Sequence, residues 1–270
     1  MEFGKIRPLA VLAAFALMLT GASLSAENTP ASLKQKGSIV VGTASGYYPF
    51  EMVDKQNKLV GYDIDIADAI AKDLGVKVEW QNYAFSGLIP ALQANKVDLV
   101  LAAMTANDKR KLVVDFSNPY FTSGQAILVN KKVPNVKSWQ DLDKKGYVIA
   151  VSQGTTADTT ASSMFKNATV KKFDGSALAA LELLNGKAQA VIHEVPWVAV
   201  YQRKNPDTTY AVLEPFTTEH LSIAVPKGNP QMVEYLNGFL GKYVKSDEYK
   251  KAYQYWFVTM GWWNDVPEKK

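Results

Sequence analysis

The sequence predicts an α/β protein built from two units of alternating strands and helices. In the first unit, short β-branched runs such as "SIVVGTA" and "VDLVLAAMT" alternate with helical patterns such as "YDIDIADAIAKDLG". The alternation restarts at "YVIAVS" and continues through "AVIHE". Buried strands separated by helices are typical of mainly parallel sheets with helices on both faces. The chain of 270 residues, 47% of them apolar, is long enough for one or two such domains.

The elements of the first unit follow from their residue patterns. "SIVVGTA" is a continuous apolar run, and "VKVEWQNYA" alternates as a half-buried strand does. Between them Ile66, Ile70 and Leu74 lie on one helical face, and Gly75 is placed to end that helix. "FSGLIPALQANK" predicts a second helix before the buried strand "VDLVLAAMT".

The second unit repeats this order. "YVIAVSQGTTADTTASSMFK" predicts a strand, a turn of glycine and hydroxyl residues, and a helix. "ATVKKF", "SALAALELLNGK", "AQAVIHE" and "PWVAVYQRKN" then predict strand, helix, strand and helix, and the chain is helical again after Gly228.

Two segments that join the units, "YFTSGQAILV" and "TTEHLSIAVPKG", have the composition of extended chain. We therefore expect a discontinuous first lobe, a second lobe inserted into it, and a hinge of two strands. The expected ranges are 32–120 plus 223–270 for lobe 1, 124–218 for lobe 2, and 120–124 and 218–223 for the hinge. Lobes joined in this way can close on a ligand that lies between them.

The N-terminus has the three parts of a secretory signal. Lys5 and Arg7 precede an apolar run that is too short to span a membrane, and small residues follow it. We expect residues 1–26 to be a signal peptide, with Ser25 as the alternative last residue. The chain contains no cysteine, so the lipid-attachable residue of a lipoprotein signal is missing. These features favour a bacterial protein exported to the periplasm.

Charge and motifs exclude several other classes of function. The net charge is +4, and the basic residues are scattered among nearly as many acidic ones, which argues against nucleic-acid binding. Motifs for nucleotide hydrolysis, zinc peptidases and esterases are absent from the sequence. We expect no cofactor and no metal.

The residues expected at the strand ends suit an α-amino acid. Arg110 follows the third strand, and its guanidinium matches a carboxylate with two parallel hydrogen bonds, assisted by Thr105. Amides of the helix that starts after Gly154 are additional donors to an anion. Glu194 in the opposite lobe can accept hydrogen bonds from an ammonium group. The aromatic rings of Tyr47 and Phe85 can enclose an organic side chain.

Simpler structural roles stay open for the same residues. Arg110 is placed to form a salt bridge with Asp108 or Asp115, and Glu194 to cap the helix that starts near Pro196. Thr155 and Thr156 can serve only as a helix N-cap. Tyr47 and Phe85 can belong to the core, and His193 suits a hydrogen bond better than a metal.

Several stretches together resemble a known family. They are "GYYPFEMVDKQNKLVGYDIDIADAIAKDLG", "FSGLIPALQANKVDLVLAAMT", "DKRKLVVDFSNPYFTSGQAILV", "IAVSQGTTAD" and "LNGKAQAVIHEVPW". The chain resembles the bacterial periplasmic solute-binding proteins of polar amino-acid ABC transporters, that is, extracellular solute-binding protein family 3. The resemblance implies the two-lobed periplasmic-binding-protein fold, type II, with a two-stranded hinge and the ligand in the cleft.

The resemblance also implies roles for individual residues. Arg110 corresponds to the residue that binds the α-carboxylate, with Thr105 beside it, and Glu194 to the acid that holds the α-amino group. The Gly-Thr turn corresponds to Thr155 and Thr156. The complete predicted ligand-binding set is Tyr47, Phe85, Ala103, Met104, Thr105, Arg110, Gln153, Thr155, Thr156, His193 and Glu194.

Some positions depart from the family pattern. Glu194 stands where Asp is usual, Ala44 where several members have an acid, and Ser152 where some have Lys. Ala103 replaces a frequent Gly, and Asn107 a common Thr. These changes predict a fairly apolar and aromatic pocket and weaken the case for arginine, lysine or glutamine as the ligand.

The resulting functional prediction is the periplasmic substrate-binding component of an ABC importer, monomeric, which binds an amino acid or a closely related small carboxylate and docks on a membrane permease. The alternative is an enzyme similar to the cyclohexadienyl dehydratases, with Glu194 as general acid. A soluble partner of a membrane receptor is a third hypothesis.

Overall fold

The structure is a computed structural model that describes Met1 and residues 28–266, so the predicted signal peptide, apart from Met1, lies outside the described residues. The helices are α1 (Pro30–Lys36), α2 (Tyr62–Leu74), α3 (Leu88–Gln93), α4 (Asp108–Lys111), α5 (Thr156–Met164), α6 (Ser176–Leu184), α7 (Val195–Lys204), α8 (Pro230–Tyr243) and α9 (Asp247–Tyr253). The strands are β1 (Ser38–Thr43), β2 (Met52–Val53), β3 (Leu59–Val60), β4 (Lys77–Asn82), β5 (Leu99–Val100), β6 (Val114–Ser123), β7 (Gln125–Asn130), β8 (Val148–Ser152), β9 (Thr169–Phe173), β10 (Ala190–Glu194), β11 (Thr209–Val212) and β12 (Glu219–Pro226).

The strands form two five-stranded sheets and a small hairpin of β2 and β3. The first sheet has the order β4-β1-β5-β12-β6, and the second has the order β11-β7-β10-β8-β9. In each sheet four strands run in the same direction, and one strand, β12 in the first sheet and β7 in the second, runs antiparallel to them. The α/β prediction is confirmed, with mixed sheets. Each antiparallel strand, β7 or β12, directly follows one of the two connections between the sheets.

Helix α2 shows how the apolar pattern builds the first core. Ile66 and Ile70, on the predicted face, are almost completely buried, and Leu74 is 4% exposed. Burying one such side chain stabilises the fold by about 1.5–3 kcal/mol. Gly75 ends the helix as predicted, with φ of 72°, and its N–H donates to Ala71 and Lys72. A left-handed φ at this position favours glycine, because a Cβ would be strained there.

The chain crosses between the two sheets twice. It leaves the first sheet through Gly124, between β6 and β7, and returns between β11 and β12. The two crossings lie side by side, since Ser123 pairs with Glu219. A Cβ added to Gly124 would lie 2.3 Å from the carbonyl oxygen of Thr217, so only glycine fits this close approach. The structure therefore has two adjacent connecting segments where the sequence predicts a hinge.

The C-terminal segment forms another contact between the two parts. The Arg203 guanidinium on α7 lies 4.4 Å from the centre of the Trp263 ring, and its Nη1 is 3.1 Å from the sulfur of Met260. Next to them, Tyr48 stacks on Trp262 with ring centres 6.0 Å apart. Among the described residues, no helix combines the length and the apolar character that crossing a membrane requires.

Candidate ligand-binding site

A cavity of about 300 Å³ lies where loops from the two sheets face each other. From the first sheet it is lined by residues at or after the ends of β1, β4 and β5, and from the second by residues at or after the ends of β8, β9 and β10. These strands are parallel within their sheets, so the cavity lies at their carboxyl ends, where ligands bind in open α/β sheets. We call this cavity the cleft.

Most of the predicted site residues line the cleft. They are Tyr47, Phe85, Ala103, Thr105, Arg110, Thr155, Thr156, His193 and Glu194. The fold brings these residues together from segments that are far apart in the sequence. Their contribution to ligand binding stays a prediction.

Two predicted residues, Met104 and Gln153, do not line the cleft. Met104 is completely buried and packs with Leu88 and Leu92 in a separate apolar cluster. Ala103 lies in a bend with φ of 44°, and beyond this bend Met104 faces the core while residues 103 and 105 line the cleft. Gln153 is exposed, and the adjacent Ser152 lines the cleft in its place.

Arg110 is held in the cleft by local structure. Asn107 caps α4, and its side-chain oxygen accepts a hydrogen bond of 2.9 Å from the Arg110 N–H. The guanidinium donates through Nη1 to the Thr105 carbonyl oxygen at 2.8 Å and through Nη2 to that of Gly154 at 3.0 Å. The centre of the Phe85 ring is 5.1 Å from Cζ of Arg110. Because Gly154 follows β8 of the second sheet, Arg110 connects both sides of the cleft.

The positive charge of Arg110 has no direct counter-ion within the described part of the chain. Asp115, one of its two expected structural partners, is paired with Lys227 at 2.8 Å instead. Burial lowers the pKa of the Arg110 side chain to about 10, although Glu194 and Glu219 oppose the change. The group is therefore charged at neutral pH, and only neutral carbonyls bind it. Such a guanidinium suits an anionic ligand.

The start of α5 adds backbone donors near Arg110. Thr155 is the N-cap of α5; its hydroxyl accepts from the Asp158 N–H and donates to the Ser152 carbonyl oxygen. The capping role that the sequence left open for Thr155 is therefore present. The first amides of a helix have no partner inside it, and they carry partial positive charge. Thr156, the first residue of α5, lines the cleft and supplies such an amide.

Glu194 forms the acidic part of the cleft and is buried. Its Oε2 accepts a hydrogen bond of 3.0 Å from the Tyr47 hydroxyl, and its Oε1 accepts one of 3.2 Å from Gln125 Nε2. His193 Nδ1 lies 2.8 Å from Oε2. Burial acts to raise the pKa of Glu194, but His193 and Tyr47 help to hold it below its usual range. Although Glu194 is at the N-cap position of α7, its side chain makes no capping hydrogen bond.

The predicted ligand-binding set omits several residues of the cleft, although Ala44 and Ser152 were identified as positions where the family pattern changes. The omitted residues are Ala44, Ser45, Gly46, Glu51, Asn82, Tyr83, Ala84, Ser152, Asp174, Gly175 and Ser176. The cleft is more polar than the sequence indicated, because Glu51 and Asp174 add two carboxyl groups to that of Glu194. Ala44 and Gly46 directly follow the first predicted strand, which was a usable signal. Nothing in the loop sequence "YYPFE" indicates that its acid, Glu51, is buried.

The arrangement has close counterparts among known proteins. Residues 39–259 match the family described as bacterial extracellular solute-binding proteins, family 3. The chain belongs to this family. A probable histidine-binding protein of Neisseria gonorrhoeae is 34% identical, over 93% of this chain and 95% of that protein. The predicted family and fold are therefore confirmed, and the described members of the family are extracellular solute-binding proteins.

Two solved structures extend the comparison. A putative binding component of an ABC transporter from Wolinella succinogenes, complexed with lysine, has a TM-score of 0.80 and 37% identity, covering 84% of this chain and 98% of its own. An ancestral amino acid-binding protein, a precursor of cyclohexadienyl dehydratase, has a TM-score of 0.79 and 39% identity, covering 84% of this chain and 99% of its own. The chain is thus similar over most of its length to amino acid-binding proteins.

Proposed function

We propose that the protein is the periplasmic substrate-binding component of an ABC importer and binds an α-amino acid, or a closely related small carboxylate, in the cleft. The observation that carries the proposal is that Arg110 and Glu194 line the same cavity without contacting each other. A buried guanidinium with neutral partners and a buried carboxylate line one cavity of about 300 Å³. A zwitterion complements these two charges. Relatives described above are named for histidine or hold lysine, which agrees with such a ligand.

In this proposal the two sheets belong to two lobes that close on the ligand. Lobe 1 comprises residues 32–120 and 223–270, lobe 2 comprises residues 124–218, and the connecting segments 120–124 and 218–223 form the hinge. Support comes from Gly124, where the chain passes between the sheets beside the returning segment. The hydrogen bond from Arg110 to Gly154 would then join the lobes in the closed form.

The partner of the closed form is the membrane permease of the importer, and the protein acts as a monomer that binds no nucleic acid. Export to the periplasm follows from residues 1–26, which carry the sequence pattern of a signal peptide. The family description as extracellular supports export, and the kinship with a binding component of an ABC transporter supports the permease as partner.

The same site favours binding over catalysis by Glu194. A general acid must hold a proton at the working pH, whereas His193 and Tyr47 help to keep the pKa of Glu194 low. We infer that Glu194 accepts hydrogen bonds and does not transfer a proton. Incubation with prephenate or arogenate, followed by assay for phenylpyruvate or phenylalanine, tests the enzyme alternative; product formation would support it.

A thermal-shift screen tests the proposed function. The purified protein is heated with α-amino acids, with the matching acids that lack the amine, and with amines that lack the carboxylate. A ligand that binds only the folded protein stabilises it by about 2.7 kcal/mol at a concentration 100 times its Kd. We expect at least one α-amino acid to raise the melting temperature more than either truncated analogue does. No shift with any α-amino acid would contradict the proposal.

A further inference from the structure

Two buried carboxyl groups lie behind the acidic part of the cleft. Glu51 immediately precedes β2 and lines the cleft, yet its side chain is fully buried. Neither of its carboxyl oxygens has a hydrogen-bond partner within the described residues. Asp63, in the first turn of α2, accepts from the Ala103 N–H at 2.7 Å and from the Tyr120 hydroxyl at 2.9 Å. Its second oxygen, Oδ1, is likewise without a partner in that part of the chain.

The surroundings of Glu51 disfavour its charged form. The titratable groups that act on it are Asp63 from α2 and Glu194 from the end of β10. Tyr47 and Tyr120 also face this acidic group. Neither Glu51 nor Asp63 takes part in an ion pair among the described residues. A buried carboxylate without a cation or a donor is strongly destabilised, and such a group takes up a proton instead.

The pKa shifts of Glu51 and Asp63 agree with the uptake of a proton by this pair. Burial, followed by the charges of Asp63 and Glu194, raises the pKa of Glu51 well above its usual range. Burial also raises the pKa of Asp63 to about 7, although the hydrogen bonds from Ala103 and Tyr120 oppose the change. Interacting acids of this kind titrate as a pair. At neutral pH the pair therefore holds at least one proton when no cation is near.

We propose that the Glu51–Asp63 pair couples the binding of a ligand amine to the release of a proton. The inference rests on the proposed function, because it takes the ligand ammonium to lie at Glu194. There the positive charge of the ammonium compensates the negative charge of Glu194. It also favours the ionised form of the neighbouring acids, Glu51 and Asp63. The O–H bond of the Glu51 carboxylic acid then breaks, its proton passes to the solvent, and the carboxylate remains beside the ligand cation.

This coupling makes affinity depend on pH in one direction. Where binding releases one proton, affinity rises about tenfold for each unit by which the pH increases. This pH dependence of the affinity disappears above the pH at which the Glu51–Asp63 pair is already ionised without ligand. A carboxylic acid that lacks the amine brings no cation to Glu194, so its binding releases no proton. His193, which also contacts Glu194, is the competing source of a released proton.

Calorimetric titration in two buffers of different ionisation enthalpy, phosphate and imidazole at pH 6.5, counts the exchanged protons. The titrants are L-arginine, L-lysine and L-glutamine, whose side chains do not titrate near this pH. We expect a release of about 0.5–1 proton per bound ligand. The exposed Glu214→Gln variant is the matched control and should keep this value. The Glu51→Gln variant should release less than half of it and should show a flatter increase of affinity between pH 5.5 and 7.5.

The outcomes separate this inference from the proposed function. Binding by the wild-type protein without proton release would overturn the inference and leave the proposed function intact, whether or not the Glu51→Gln variant folds. Full proton release by folded Glu51→Gln and Asp63→Asn variants would assign the proton to another group, such as His193, and would also overturn it. Failure of all α-amino acids to bind would overturn both.

Discussion

The two ends of the cleft are assembled over different distances along the chain. At the Arg110 end, the guanidinium contacts the carbonyl of Thr105, five residues away, and Asn107 caps the short helix that carries it. At the Glu194 end, the carboxylate accepts hydrogen bonds from Tyr47 and Gln125, which are 147 and 69 residues away. Local chain geometry therefore builds much of the first end, whereas the second exists only after the sheets have formed.

The two ends also differ in charge. The Arg110 guanidinium is bound by neutral carbonyls, so its charge is available to a ligand carboxylate. The Glu194 end gathers three carboxyl groups; burial raises the pKa of Glu51 and of Asp63, whereas the pKa of Glu194 is held below its usual range. One end therefore has a fixed charge, whereas the charge at the other end, in our proposal, changes when a ligand cation binds.

Removing the fixed charge should have the largest effect. We expect Arg110→Ala to weaken the binding of an α-amino acid by at least ~100-fold, about 3 kcal/mol, because two charged hydrogen bonds to the carboxylate are lost. Isothermal titration calorimetry measures the change. The exposed Lys109→Ala variant of the same helix removes an equal charge outside the cleft and should bind normally. Near-normal affinity of folded Arg110→Ala would exclude the assigned role.

Neutralising the opposite end should discriminate between ligands. We expect Glu194→Gln to weaken an α-amino acid by ~10–100-fold, since an ammonium loses a charged acceptor and meets an amide N–H donor. The matching carboxylic acid without the amine should change by less than about threefold, because it makes no such contact. Competition binding with both ligands gives the two values. Equal losses for both would show that Glu194 does not recognise the amine.

The Tyr47 hydroxyl should have a smaller effect. Tyr47→Phe removes the hydrogen bond of 3.0 Å to Glu194 and keeps the ring. We expect a loss of affinity of ~3–10-fold, in line with about 1 kcal/mol for one hydrogen bond. Tyr48→Phe is the matched control, because Tyr48 packs on Trp262 outside the cleft. An unchanged affinity of Tyr47→Phe would mean that the hydroxyl does not orient the carboxylate.

The smallest effect concerns the stability of the protein without ligand. Because the pKa of Asp63 is raised to about 7 in the fold, its protonated form is favoured there. Its contribution to stability is complete below the unfolded-state pKa near 4 and is lost as the pH rises through about 7. The melting temperature should therefore fall a few degrees more between pH 5 and 8 in the wild-type protein than in Asp63→Asn. Parallel melting curves against pH would contradict this.

The comparison of the two ends also explains how much the sequence could predict. Apolar periodicity was sufficient for α2, and the strand ends were sufficient for the region of Arg110 and Thr105, because both depend on neighbouring residues. The inward position of Met104 was missed, since it depends on a bend at Ala103, whose φ is 44°. The burial of Glu51 depends on α2 and β10, which pack on its loop only in the folded chain.

The antiparallel pairing of β6 with β12 could not be predicted from the sequence, for a similar reason. The pattern of β6 and β12 is that of extended chain, and nothing in it fixes which sheet a strand joins or in which direction it pairs. Gln125 has no pattern that marks it, although its side chain contacts both Glu194 and Thr156. The role of a residue such as Gln125 becomes apparent only in the structure. The family resemblance identified other residues of the site but not this one.

The sharpest test of the roles proposed for Arg110 and Glu194 is a crystal structure of the protein grown with the α-amino acid that raises its melting temperature most. We expect the ligand carboxylate to lie within hydrogen-bond distance of the Arg110 guanidinium and the α-ammonium to lie within hydrogen-bond distance of Glu194. A bound ligand in the reverse orientation, or one that contacts neither side chain, would overturn the roles assigned to Arg110 and Glu194.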